Sequence, residues 1–244
     1  MCTVTFVPQD KETFFITSNR DESPHRSPSK LSVVEHNGLT LVYPRDTLAG
    51  GTWIAAGPQR TLCLLNGSFE SHHKKSHYRL SRGLMALHYF DYQHALDFVH
   101  QFDFTGIEPF TLLLMDVSGF FEFRWDDRAT KYLKHLSLQH PQMWSSSTLY
   151  SPEIRRWRQA LFDQWCLNQS GKPLLQEDII HFHRFGSSGD DHNGFVMNRK
   201  EVVKTVSITS LKISDSGTEV FYEDLINWNH DHYYTKTDFL NTLP

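Results

Sequence analysis

The residues that could do chemistry together cluster in the first 22 positions. Cysteine stands at position 2, and removal of the initiator methionine before so small a side chain makes it N-terminal. One residue then carries both a thiol and a free α-amine, a nucleophile with its own base. An α-amine titrating at roughly 7.7–8 accepts the thiol proton near neutrality. A second strand, Thr13 to Ser18, leads into Asn19-Arg20-Asp21-Glu22. Pairing it with Met1 to Val7 brings these charges beside Cys2, where Arg20 favours a thiolate and Asp21 orients an ammonium. The plainer reading is a small buried hydrophobe at Cys2 and a polar turn after a strand.

Other constellations are weaker. Asn66 ends a buried strand, Thr61 to Gly67, and its amide N–H groups suit an oxyanion as well as a turn. Trp144-Ser145-Ser146-Ser147-Thr148 either lines a site or caps the helix that follows. The 15 histidines include His72-His73, His181-x-His183 and His230-x-His232, but no third ligand has metal-site spacing, so they read as solvated surface residues. No metal or other cofactor is expected. Gly-x-Ser-x-Gly, Cys-x-x-Cys-His and Gly-x-Gly-x-x-Gly are absent, which leaves a serine-hydrolase elbow, covalent haem and a dinucleotide cradle unsupported.

The elements that must position these residues alternate in kind. Leu31 to Glu35 and Leu39 to Tyr43 flank His36-Asn37-Gly38, a hairpin signal. Gly50-Gly51 suits a bulge or a close backbone approach before a strand at Thr52 to Ala56. Six strands therefore precede residue 67. The period then changes to three and four, predicting a helix over His77 to Tyr89 and a second, capped by Asp91, carrying Ala95, Leu96, Phe98 and Val99. Phe110 to Met115 reads as a central strand, and Phe121, Phe123 and Trp125 as a strand with one wet face. Lys131 to Leu136 and Gln142 to Thr148 continue that sheet. Ser151-Pro152-Glu153 starts a helix with a stripe of Ile154, Trp157, Leu161 and Trp165, ended by Gly171. A helix over Leu174 to Phe182 and a mobile loop over Gly186 to Gly194 follow. Val202 to Thr209, Leu211 to Ser214 and Thr218 to Tyr222 return to strands.

A chain of 244 residues, 39% hydrophobic and 21% charged, buries a sizeable core, and it reads as one domain over 1–244. A net charge of -4 gives no reason to expect nucleic acid, and no apolar run approaches a membrane span. Three scattered cysteines and no secretory signal place the expectation in the cytosol. Aromatic residues, 14% of the chain, fill a core more readily than a cofactor box. Oligomeric state is not legible.

Taken together, Met1-Cys2, Ser18-Asn19-Arg20-Asp21-Glu22, Leu48-Ala49-Gly50-Gly51-Thr52-Trp53, Asn66 and Ser81-Arg82-Gly83 resemble the NRDE family, that of transport and Golgi organisation protein 2 and its bacterial relatives. The resemblance runs to about Tyr222. It implies an α+β fold, a four-layer α-β-β-α sandwich of two stacked, mainly antiparallel sheets similar to N-terminal-nucleophile hydrolases. More distantly the pattern is similar to choloylglycine hydrolases and penicillin V acylases. That likeness implies Cys2 as nucleophile, Arg20 and Asp21 beside it and Asn66 in the oxyanion hole. Asn19, Trp53 and Ser147 are the accompanying candidates for substrate binding. Three departures stand out: Arg-Asn-x-Asp becomes Asn19-Arg20-Asp21, Ser146-Ser147 replaces a Ser-Asn pair, and no arginine falls between Lys204 and Ser207. The expected activity is hydrolysis of a small non-peptide amide. The alternative, since some eukaryotic relatives are implicated in haem trafficking, is a carrier of a hydrophobic ligand such as haem.

Overall fold

Aromatic rings from two sheets meet at the centre of the molecule. Phe6 and Phe14 stack at 5.7 Å between centroids, and Phe6 meets Phe120 at 4.7 Å. The computed structural model describes residues 3–128, 131–169, 171–187, 189–214 and 216–235, so Cys2 lies outside the described residues.

One sheet opens with β1 (Thr3–Pro8) and β2 (Phe14–Glu22). The chain then crosses over and lays down β3 (Leu31–His36), β4 (Leu39–Pro44), β5 (Ile54–Gly57), β6 (Arg60–Asn66), β7 (Phe110–Asp116), β8 (Gly119–Trp125) and β9 (Lys131–His135). These form the second sheet as an antiparallel meander in sequence order. It is interrupted after β6 by α1 (Arg82–Leu87) and α2 (Ala95–Gln101). The chain returns to the first sheet with β10 (Gln142–Ser145). There follow α3 (Pro152–Gln169), α4 (Gln176–Phe185), β11 (Asn198–Arg199), β12 (Val203–Ser214), β13 (Gly217–Asp224) and β14 (Asn229–Thr235). The first sheet has the order β10-β1-β2-β12-β13-β14, with β11 on β12.

Strand alternation gives each sheet two buried faces. Phe14 and Ile16 of β2 join the inter-sheet core, while Phe15 joins a cluster with Phe162 of α3 and Ile179 and Phe182 of α4. Met85, Ala86, Phe98 and Val99 of α1 and α2 pack into the larger core. Helices thus cover both outer faces, and the expected four-layer α-β-β-α order holds. Burying each of Phe162 and Phe182 stabilises by about 1.5–3 kcal/mol, enough to dock α3 and α4 on the sheet.

Several elements differ from the sequence expectation. The helix over 77–89 contracts to α1, because Leu80 forms a parallel bridge with Ile107 and Ser81 caps the N–H of Leu84. Asp91 caps no helix. His94 is the N-cap of α2, while Asp91 accepts from Asn37 and contacts His36 and His88 at 2.6 Å each, tying the β3–β4 turn to the helical layer. Strand β8 has no wet face, since Glu122 is buried against Arg124. Gln142 to Ser145 pair with β1 in the first sheet rather than extending the second. The two late strands from Val202 and Leu211 are one, β12, bulged between Thr205 and Ser207. In α3 the fully buried side chains are Arg158 and Phe162, with Trp157 only half-buried. At the end of the loop read as mobile, Arg158 donates to the carbonyls of Asn193 and Gly194.

Candidate active site at the head of the first strand pair

Thr3, the first described residue, lies opposite Asn19 on β2 and Ser145 on β10. Alternation along β2 sends the next two candidates apart. Arg20 faces the second sheet, whereas Asn19 and Asp21 face the helices.

On the inter-sheet side, the Arg20 guanidinium lies 3.9 Å from the Trp53 ring centroid and is ion-paired with Asp46. Glu22 is 3.9 Å away. Arg26 completes the group, reaching Glu22 at 2.8 Å and Asp46 at 2.9 Å. Burial draws the Arg20 pKa down to about 10 against the opposing pull of Asp46, so the guanidinium stays charged at neutral pH. Burial acts to raise Glu22, but the Ser23 N–H, Arg20 and Arg26 outweigh it and hold the carboxyl below its usual range. Asp46 also accepts the backbone N–H groups of Leu48 and Ala49, at 3.1 and 2.8 Å. Neither Asp46 nor Arg26 was among the sequence candidates. The available signal for Asp46 was an Asp two residues before a Leu-Ala-Gly-Gly turn, the pattern of an Asx turn.

The paired glycines make the predicted close approach. A Cβ on Gly51 would stand 2.3 Å from the carbonyl carbon of Gly83, and Thr52 N–H donates to Gly83 O at 3.2 Å. This contact sets the start of α1 against β5 and delivers Arg82. Its guanidinium donates to Pro109 O at 3.1 Å and pairs with Glu108 at 3.1 Å. Burial lowers the Arg82 pKa.

Arg20, Glu22, Asp46, Asn66, Arg82 and Glu108 line a cavity of about 330 Å³. A second cavity of about 170 Å³ lies against Asn66, Ser68, Arg124, Ser147, Arg155 and Gln159. Asn66 therefore borders both. Its carbonyl accepts from Ser146 Oγ at 2.8 Å, which fixes the turn that presents it.

On the helix side, Asp21 accepts from Tyr150 at 2.6 Å and from Thr205 at 2.5 Å. Burial, then the Asp21 charge, pushes the Tyr150 phenol well above its usual range, so it remains a donor. Asn19 is fully buried, and its amide donates to the carbonyls of His183 and Phe195 at 3.0 and 2.7 Å. Its Oδ1 is left to accept from His183 Nδ1, so Nε2 of that ring accepts from Thr5 Oγ1 at 2.8 Å. Burial, helped by Arg158, lowers the His183 pKa to about 3. His183 is thus a neutral core residue, not a solvated surface histidine. Arg158, also fully buried, donates to Thr3 Oγ1 and lies 3.7 Å from the Tyr150 ring centroid.

The candidates accordingly fall into three groups. Arg20 and Asn66 share the larger cavity, with Trp53 buried beneath Arg20, and Ser147 joins Asn66 in the smaller one. Asp21 braces the first sheet from behind. Asn19 is engaged with α4 and reaches neither cavity. Among the described residues, no group of three or more His, Cys, Asp or Glu could hold a metal ion. Among the described residues, no helix is long and apolar enough to cross a membrane.

Comparison with known proteins bears on the fold and the family. The structure is similar to penicillin V acylase from Agrobacterium tumefaciens, with a TM-score of 0.54 at 12% sequence identity, over 98% of this chain and 88% of that one. The likeness is one of fold, the four-layer sandwich of two stacked antiparallel sheets between helices. No curated protein matches the chain. A family model described as Transport and Golgi organisation 2 matches residues 1–217, and the chain belongs to that family.

Proposed function

We propose that the chain is an N-terminal-cysteine hydrolase that cleaves a small non-peptide amide. The observation that carries this reading is the meeting of Arg20 and Asn66 in one polar cavity at the head of the strand pair that begins one peptide bond after Cys2. The α-amine takes the thiol proton and the thiolate sulfur bonds to the amide carbon. Its carbonyl oxygen becomes an oxyanion held by the Asn66 amide. Collapse breaks the C–N bond as the ammonium returns its proton to the leaving nitrogen, giving a thioester. Water then attacks, losing a proton to the amine, and the acid departs as the thiol is restored. Arg20 favours the thiolate, Asp21 anchors the strand pair from the opposite face, and Ser147 borders the ligand beside Asn66.

The polar, charged lining of both cavities favours this reading over a carrier of haem or another apolar ligand. Free thiols at Cys63 and Cys166 fit a reducing cytosol. The test is hydrolysis of a panel of short amides by the wild type and by Cys2→Ala. Turnover lost in the variant supports the assignment, and turnover at the native rate removes it.

A further inference from the structure

Five arginines line the two cavities, and four of them already have a carboxylate partner. Arg20 pairs with Asp46, Arg26 with Glu22 and Asp46, Arg82 with Glu108, and Arg124 with Glu122. The fifth, Arg155, has no carboxylate within 4 Å among the described residues. Among the described residues its guanidinium makes one hydrogen bond, a 3.4 Å contact to Phe69 O. It belongs to the first turn of α3 and lines the smaller cavity, as does Ser68. Ser68 is 5% exposed, and among the described residues its hydroxyl has no hydrogen-bond partner, and neither does Arg155 Nε. A partly buried cation and an unpartnered donor beside one polar cavity form an incomplete arrangement, because buried donors are ordinarily matched. A carboxylate completes it, since a guanidinium binds that group in a bidentate, charge-assisted geometry.

We propose that the smaller cavity is an anion subsite that takes a carboxylate carried by the ligand. This rests on the hydrolase reading to the extent that Asn66, which borders both cavities, marks the reacting carbonyl. The ligand then spans both, with its carboxylate against Arg155 and Ser68 and its remaining half against Arg82 and Glu108. The cavity of about 170 Å³ is the smaller of the two and has room for a carboxylate on a short linker. The substrate class is therefore a small amide bearing a carboxylate a few bonds from the scissile carbon.

The experiment is calorimetric titration of the Cys2→Ala chain, which separates binding from turnover, with glutaramate and with glutaramide. The two probes differ in having a carboxylate or a second amide at one end. Glutaramate is expected to bind at least ten-fold more tightly. Arg155→Met should abolish that preference, Arg155→Lys should keep part of it, and Arg156→Met should leave it intact, since Arg156 is exposed and pairs outward with Glu153 at 3.1 Å. An arm with inorganic phosphate distinguishes a carboxylate subsite from a general anion site, and equal or tighter phosphate binding counts against the proposal. Equal affinity for the two probes, no saturable glutaramate binding, or a preference that survives Arg155→Met overturns it. Wild-type protein that binds glutaramate with this preference but hydrolyses no amide counts against the hydrolase reading alone.

Discussion

Lowering the pH from 7 to 5 should destabilise the protein through one buried ring. His183 is fully buried with a pKa of about 3, against about 6.5 for an exposed histidine. Its Nδ1–H donates to Asn19 and its Nε2 accepts from Thr5, so a second proton at Nε2 costs the Thr5 bond and leaves a charge in the core. The unfolded chain accepts that proton as pH falls through about 6.5, whereas the folded chain resists until about pH 3. Stability from this group is complete above the unfolded pKa and is lost progressively across that window. Between pH 7 and 5 the linkage integral gives a loss of about 2 kcal/mol from His183 alone. Substitution by glutamine keeps a donor and an acceptor but removes the titration. Urea unfolding of wild type and His183→Gln at both pH values and fixed ionic strength isolates the effect. The wild type should lose about 2 kcal/mol more than the variant over the interval. Parallel losses would refute the reasoning, because they mean that the folded ring protonates as freely as the unfolded one.

Two further perturbations probe the cavity walls. Asp46→Asn keeps the oxygen that accepts the Leu48 and Ala49 N–H groups but removes the negative charge that faces Arg20 and Arg26. Leaving Arg20 buried with only Glu22 at 3.9 Å should cost about 3 kcal/mol in a denaturant titration, and a cost below about 0.5 kcal/mol would mean the pair is immaterial. Gly51→Ala forces a methyl into the Gly83 backbone and should cost about 1–3 kcal/mol, read as a lower Tm, whereas Gly38→Ala meets nothing within 4 Å and tests only its φ of +79°.

The parts of the fold that were legible in the sequence are those in which local chemistry and tertiary packing agree. Asn37 and Gly38 both adopt positive φ, as the Asn-Gly signal required. The unbroken apolar run of β7 is buried along its whole length. The first hairpin pairs as expected, and its motif order carried the family. What escaped was polar chemistry used as structure. Arg158 occupies the buried stripe of α3 four residues from both Ile154 and Phe162, but a charged residue does not register in an apolar pattern. His183 sits on the packed face of α4 beside Ile179 and Ile180, and only its partners across the sheet reveal it as neutral. β14 reads Asn-His-Asp-His-Tyr-Tyr-Thr, too polar for a strand until pairing with β13 satisfies its backbone. Adjacency in sequence conceals the two faces of β2, since alternation sends Arg20 to one side and Asn19 and Asp21 to the other.

The central claim is that Cys2 becomes a terminal, activated nucleophile. Brief treatment of the native protein with iodoacetamide near pH 7, followed by peptide mapping in a mass spectrometer, tests it most directly. Burial pushes the thiols of Cys63 and Cys166 up to about 12, so both are protonated and slow to react. The expected product lacks Met1 and carries the label on Cys2 alone. Retention of Met1, or labelling of Cys2 no faster than Cys166, would contradict it.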